Sequence, residues 1–237
     1  MGMPVIVEIT DDADPGIFTK IFDYFRWVDS TFSTYKETSE ITRINTGVLK
    51  RKNYSKEMSE IFALAQQTKK ESHGYFDIHN GKVIDPSGIV KGWAIHNAAR
   101  ILTDSGIGNY YVEAGGDIEV AGTNNDGKPW TIGIRNPFSP GEIIKRVTLG
   151  HHGIATSGTY ERGNHIYDPV RKGAADEIAS MTVIAPDVYE ADRFATAAFA
   201  MGTMGIQFIS GLKNTEGYMI YNHGIATYTA GFGTYTV

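Results

Sequence analysis

An aspartate and a threonine four residues apart, Asp192 and Thr196, sit in Glu190-Ala191-Asp192-Arg193-Phe194-Ala195-Thr196, a segment that reads as helix. That spacing stacks the two side chains on one helical face. A carboxylate beside a hydroxyl supplies hard oxygen donors of the kind magnesium takes. The plainer alternative is a solvated acid near a helix start, complementing the dipole. Phe199 continues the same face, however, and an apolar residue there directs it toward the interior or a cleft.

Other segments also carry chemistry-bearing side chains. Gly74-Tyr75-Phe76-Asp77 and Asp85-Pro86-Ser87-Gly88-Ile89-Val90-Lys91-Gly92-Trp93-Ala94 place two acids, glycines and a lysine just ahead of a helix start. Unpaired backbone N–H groups and the positive end of the dipole make such a start a seat for phosphate, although a plain turn fits the same residues. Ala114-Gly115-Gly116-Asp117-Ile118 joins two strands, either as a hairpin turn or as bare backbone against which a ligand can lie. Ala155-Thr156-Ser157-Gly158-Thr159-Tyr160-Glu161-Arg162, with His165-Ile166-Tyr167-Asp168-Pro169 beyond it, gathers hydroxyls, an arginine, a histidine and an acid in a loop-rich span. Histidine with a carboxylate and Arg162 suits acid–base work and phosphate clamping; a lone histidine is more often structural. Finally, Phe32-Ser33-Thr34-Tyr35 precedes Ser39-Glu40-Ile41-Thr42-Arg43-Ile44-Asn45. Ser39 reads as a helix cap, and Tyr35 is a candidate platform for a flat ring.

The elements that must position these groups follow from periodicity. Val5–Ile9 reads as a strand, and Asp14-Pro15 opens a helix with the apolar face Ile17, Ile21, Phe22, Phe25 and Val28. Helices are also expected over Ser55–Glu71, from about Lys91 to Thr103, and from about Tyr189 to Met201. Strands are expected at Tyr110–Val112, Ile118–Ala121, Trp130–Ile134, Ile144–Leu149, Met181–Ala185, Tyr218–Tyr221 and Ala226–Thr229. Helices and hairpin-linked strands alternate without a βαβ repeat, so the fold class is α+β, one domain over residues 1–237, with largely antiparallel or mixed sheets packed with helices.

Composition bounds the partners. The chain has 22 Lys and Arg against 27 Asp and Glu, a net charge of −5, so the protein as a whole has no pull toward nucleic acid or anionic membrane. A phosphate-bearing ligand must be neutralised locally. With no cysteine, disulfides, thiolate ligands and thiol nucleophiles are excluded. The longest apolar stretch, around Phe194 to Met201, is far too short to span a bilayer. The expectation is a soluble cytoplasmic protein as the sequence stands, or an exported, periplasmic or cell-surface one if a leader has been removed, monomeric or homodimeric.

Taken in order, FSTY…SEITRIN, GYFD, DPSGIVKGWA, AGGDIEVAG, ATSGTYER, HIYDP and ADRFATAAFAMG resemble the motif series of the FAD:protein FMN transferase (ApbE) family across nearly the whole chain. The resemblance implies a T-fold-related α+β domain, FAD as substrate and Mg2+ as cofactor. It places Tyr35, Tyr75, Phe76 and Asp77 at flavin contacts, and Asp85 and Lys91 at dinucleotide contacts. Gly115, Gly116, Asp117 and Arg162 belong to the same ligand-lining loops. It implies a metal held by the Gly88 carbonyl, Asp192 and Thr196, and it makes His165 the candidate base or orienting group for the attacking hydroxyl, alongside Asp192. The implied reaction moves FMN from FAD to a Thr or Ser hydroxyl of an acceptor protein and releases AMP. Acceptors in the family carry a D-G-x-[ST]-G-A-T-like segment, which this chain lacks.

Two departures from the family pattern stand out. The stretch between Asp77 and Asp85 is short, which implies a more open cleft, and Ala195 stands where many relatives have a second acid, which implies weaker metal binding. Rival readings are an FAD pyrophosphatase, with water as nucleophile, and a non-catalytic flavin-binding or trafficking protein. On the transferase reading, His165→Ala should abolish flavin transfer while leaving FAD binding largely intact; near-normal transfer by that variant would remove His165 from the role.

Overall fold

The computed structural model describes residues 2–158, 167–168, 170, 173–174 and 177–237, with side chains at 167–168 and 173–174 left aside. His165 and Arg162 therefore lie outside the described residues. In chain order the first half comprises β1 (Val5–Ile9), α1 (Gly16–Phe32), α2 (Glu40–Asn45), α3 (Lys56–Glu71), β2 (His79–Asn80), β3 (Val83–Ile84) and α4 (Ser87–Asp104). There follow β4 (Tyr110–Ala114), β5 (Asp117–Ala121), β6 (Trp130–Arg135), β7 (Ile143–Leu149), β8 (His151–Gly158), β9 (Tyr167–Asp168) and β10 (Gly173–Ala174). The chain closes with β11 (Ile178–Ala185), α5 (Val188–Ala200), α6 (Gly205–Ser210), β12 (Glu216–Tyr221) and β13 (Ala226–Tyr228).

A seven-stranded sheet in the order β1-β4-β5-β8-β11-β12-β13 forms the centre, and every strand pairing among the described residues is antiparallel. This is the α+β architecture that the periodicity predicts. One face carries the helices: Ile21, Phe25, Ile95 and Leu102 from α1 and α4 pack with Val112 and Ala114, while Phe194 and Phe199 of α5 pack with Ala155, Met181 and Val183. The other face is covered by the separate β6–β7 hairpin, whose Trp130, Ile132, Ile134, Val147 and Leu149 cluster with Ile118, Val120 and Ile154. Strand β11 is buried along its full length because both of its faces are covered.

Two expectations need correction. Helix α4 begins at Ser87 rather than near Lys91, because the Ile89 and Val90 amides both bond back to the Pro86 carbonyl at 3.0 Å. Gly88 and Lys91 thus lie inside the first turns of the helix and not ahead of it. The span Ala155–Gly158, read as loop, is the end of strand β8 in the middle of the sheet. Its residues are small and hydroxylated, which hides the strand signal, and earlier in the same strand Gly153 meets a steric need. A Cβ at Gly153 would lie 1.9 Å from the Val188 nitrogen, so α5 can start where it does only over a bare strand.

This close approach generates a prediction. Gly153→Ala overpacks the β8–α5 contact against backbone and should cost about 3 kcal/mol, at the upper end for overpacking, read as a lowered urea midpoint. An unchanged midpoint would mean that α5 can shift away from the sheet freely.

Candidate functional site

The site lies where α4, α5, β5 and β8 meet. Asp192 is buried on α5, and its Oδ2 accepts from the Gly92 amide at 2.8 Å. In a regular helix that amide would go to the carbonyl four residues back, Gly88. Asp192 therefore competes for the donor of the one carbonyl expected to face a metal. The approach is close, for a Cβ at Gly92 would meet the Asp192 Cβ at 2.7 Å and the Val188 oxygen at 2.8 Å. Thr196, one turn on, faces Gly88, where a side chain would meet the Thr196 Cγ2 at 3.5 Å and Phe76 at 3.4 Å. The Thr196 hydroxyl also lies 3.4 Å from the Ser157 hydroxyl of β8.

Lys91 connects this group to the sheet. Its Nζ lies 2.7 Å from Asp117 Oδ2 and 3.6 Å from Asp192 Oδ1. Asp117 opens β5 just after the Gly115-Gly116 turn, where φ values of 59° and 87° and the Ala114–Asp117 pairing define a two-residue hairpin turn that glycine adopts without strain. Asp117 is 1% exposed and accepts from the Thr156 amide at 3.2 Å. Burial pushes its carboxyl up to about 8; the Lys91 ammonium opposes the rise and the Asp192 carboxylate adds to it. Two buried acids thus share one ammonium, and the pocket is short of positive charge.

Two further contacts hold α5 in place. Glu119, two residues along β5 on the same face, accepts from the Val188 amide at the start of α5 at 3.0 Å and from His96 Nδ1 of α4 at 3.1 Å. Burial pulls the His96 ring down, but the hydrogen bond and the charge of Glu119, with Asp187 beyond, leave it above its usual value. Asp187 caps the helix by accepting from the Glu190 amide at 2.8 Å.

The flavin-side candidates are assembled separately. Ser72 Oγ accepts from the Phe76 amide at 3.0 Å, and the Gly74 amide bonds to the Lys69 carbonyl at 2.8 Å. Phe76 is buried beside Gly88, and Tyr75 is half-buried. Asp77 is pushed up by burial, but Lys69 at 2.6 Å and the His79 amide and ring at 3.0 and 2.9 Å outweigh that and hold it below the usual carboxylate range. Asp85 is exposed, and its Oδ1 accepts from the Ser87 amide at 3.0 Å ahead of α4. Tyr35 projects into solvent at 97% exposure, so no packing joins it to the cluster in this state. Ser39 caps α2 through the Thr42 amide, as its sequence context predicts.

The structure thus brings together Gly88, Lys91, Asp117, Asp192 and Thr196, with Phe76 against them. Reading the sequence alone missed Gly92, Glu119 and Ser157. A glycine inside a helix, as at Gly92, was the available signal for a close approach; nothing local marks Glu119 or Ser157. On the opposite face of the sheet, a cavity of about 330 Å³ runs from Gly115 and Gly116 under the β6–β7 hairpin, lined by Tyr111, Glu113, Arg135 and Arg146 among others.

The model of the ApbE family matches residues 1–85 and 79–219. An FAD:protein FMN transferase of Klebsiella pneumoniae is 31% identical over 151 residues, covering 60% of this chain and 43% of the relative. One from Vibrio cholerae is 36% identical over 129 residues, covering 50% and 39%. These alignments span about two fifths of the length of the curated relatives. Among solved structures, the Vibrio cholerae flavin transferase ApbE superposes with a TM-score of 0.86 at 23% identity, covering 99% of this chain and 96% of that one. The ApbE protein of Thermotoga maritima gives 0.85 at 23%, covering 100% and 96%. The fold is that of the flavin transferases, and the chain belongs to the ApbE family.

The raised Asp117 carboxyl carries a pH prediction. Between about pH 4, where a free carboxyl titrates, and about pH 8, the folded chain keeps a proton that the unfolded chain has lost. Stability contributed by this group is present in full below that window and falls as pH rises through it. Asp117→Asn should therefore show a smaller drop in urea midpoint between pH 5 and pH 8 than the parent; equal drops would mean that Asp117 is ionised throughout.

Proposed function

We propose that this chain is a magnesium-dependent transferase that cleaves FAD and attaches the FMN half to a Thr or Ser hydroxyl of an acceptor protein, releasing AMP. The observation that carries the reading is the meeting of Asp192, Thr196 and Gly88 beside the Lys91 ammonium at the start of α4. The start of α4 offers the positive end of its dipole to a pyrophosphate, while its Ser87, Ile89 and Val90 amides are bonded to Asp85 and Pro86.

The donor set suits Mg2+. It offers one carboxylate, one hydroxyl and one carbonyl for whose helical donor Asp192 competes, all hard oxygens. Among the described residues no group of three or more His, Asp or Glu side chains gathers to hold an ion. That fits a cation which takes few protein carboxylates and completes its shell with water and substrate phosphate. When bound, the ion supplies charge neutralisation to the pyrophosphate oxygens.

The protein's own residues do the rest. Lys91 neutralises phosphate charge and is held in position by Asp117. The positive dipole end of α4 and the Gly115-Gly116 backbone hold the diphosphate, while Tyr75, Phe76 and Asp77, with Tyr35 swung in from solvent, hold the flavin side. In the transfer the acceptor oxygen forms a bond to the FMN phosphorus and the bond to the bridging oxygen breaks. AMP leaves with that electron pair, and the hydroxyl proton passes to a base, for which His165 is the candidate. Positioning and charge neutralisation supply most of the acceleration in such a reaction. The acceptor is a protein with a D-G-x-[ST]-G-A-T-like segment, a redox subunit or a flavin reductase domain.

The test is incubation with FAD, Mg2+ and an acceptor bearing such a segment, followed by in-gel flavin fluorescence and AMP assay. A fluorescent acceptor with one AMP released per label is expected, and Asp192→Ala should lower the rate by roughly a hundredfold or more, the scale of losing one electrostatic stabiliser. AMP without a labelled acceptor would make the protein a pyrophosphatase, and neither product would make it a flavin binder.

A further inference from the structure

Arg193 follows Asp192 directly, and successive helix residues point about 100° apart. Asp192 faces α4, whereas Arg193 faces α3. Its residue exposure is 3%, which makes it a buried cation that must be paired. Its Nη1 donates to Thr68 Oγ1 at 3.2 Å and to Glu71, and its Nη2 donates to Glu190 at 3.3 Å. Its guanidinium carbon lies 3.9 Å from the centroid of the Phe194 ring and 5.1 Å from that of Tyr189. The planar fork meets three acceptors on two helices, a geometry that a lysine cannot reproduce.

What Arg193 grips is the end of α3. Glu71 is the last residue of that helix, and the next six residues are Ser72 to Asp77. Their conformation depends on that end. His73 and Gly74 take positive φ values of 53° and 91°, the Gly74 amide bonds back to Lys69, the Phe76 amide bonds to Ser72, and Lys69 holds Asp77. Phe76 then packs beside Gly88. One turn of α5 is therefore tied on one side to the phosphate-facing cluster and on the other to the loop expected to hold the flavin.

We propose that Arg193 is a positioning residue that sets the distance between the flavin-holding loop, Gly74 to Asp77, and the phosphate-facing pair Asp192 and Thr196. A dinucleotide bound across both must span that distance, so the clamp decides how readily the ring and the diphosphate can be seated at the same time. The inference rests on the transferase reading for its substrate, but the clamp itself can be tested without it.

Two variants and two readouts decide the matter. Arg193→Met keeps the apolar volume against Phe194 and removes the fork; Glu71→Gln removes the partner charge at a half-exposed position where folding is not at risk. Both should raise KM for FAD, by about tenfold for Arg193→Met, with kcat and the Mg2+ activation constant within about twofold of the parent. Both should also speed amide hydrogen exchange at Gly74 and Phe76 in the protein without FAD, while the Gly92 amide stays protected. An unchanged KM with only a lowered melting temperature would reduce Arg193 to a structural role, and so would Glu71→Gln behaving as the parent. Parallel loss of FAD and Mg2+ affinity would mean that the whole site had collapsed and would equally overturn the proposal. Should the parent transfer no flavin, the transferase reading fails, and the exchange rates alone still decide whether the clamp sets the loop.

Discussion

The structure turns on a shortage of positive charge in a buried place. Asp117 and Asp192 stand within reach of a single ammonium, Lys91, at the junction of the central sheet and two helices. Ionising both acids against one cation is costly, because each charge would lose its water with only one partner present to compensate. The cost shows in the raised Asp117 carboxyl. A fold optimised for stability alone would place apolar residues there. The arrangement is reasonable if a divalent cation and an anionic ligand complete the charge balance during function.

Several features of the fold follow from holding that cluster together. Helix α5 must come close enough to α4 for Asp192 to take the Gly92 amide, and close enough to β8 for its start to rest on Gly153. Bare backbone at both positions makes the approach feasible. Glu119 secures the same helix start by accepting the Val188 amide, and Asp187 caps it. The Gly115-Gly116 turn delivers Asp117 to the buried side of the sheet and leaves Ile118 to face the β6–β7 hairpin.

Most of the architecture was legible in the sequence because it rests on periodicity: the strands from Tyr110 onward and the helices at Ser55 and Tyr189 have plain two-residue or helical patterns. Asp192 and Thr196 were legible for the same reason, since their spacing on a helix admits only a shared face. The start of α4 was not, because Pro86-Ser87-Gly88 are turn-forming residues that here occupy the cap and first turn of a helix whose stability comes from packing farther along. Strand β8 was hidden by Thr156, Ser157 and Gly158, small or hydroxylated residues of weak strand signal, of which Ser157 meets Thr196 of α5. The clamp around Arg193 depends on contacts more than a hundred residues away in the chain, which no local pattern encodes. Tyr35 marks the other limit: its identity suggests a ring platform, yet its ring stands in solvent at 97% exposure and would have to move to serve as one.

The most direct measurement is a crystal structure of the protein with FAD and Mg2+. The account predicts an ion coordinated by Asp192, Thr196 and the Gly88 carbonyl, with the pyrophosphate between it and the start of α4, Lys91 on a phosphate oxygen, and the flavin against Tyr75 and Phe76. Density for the dinucleotide elsewhere, or an ion bound away from Asp192 while Asp117 and Lys91 keep their pairing, would contradict it.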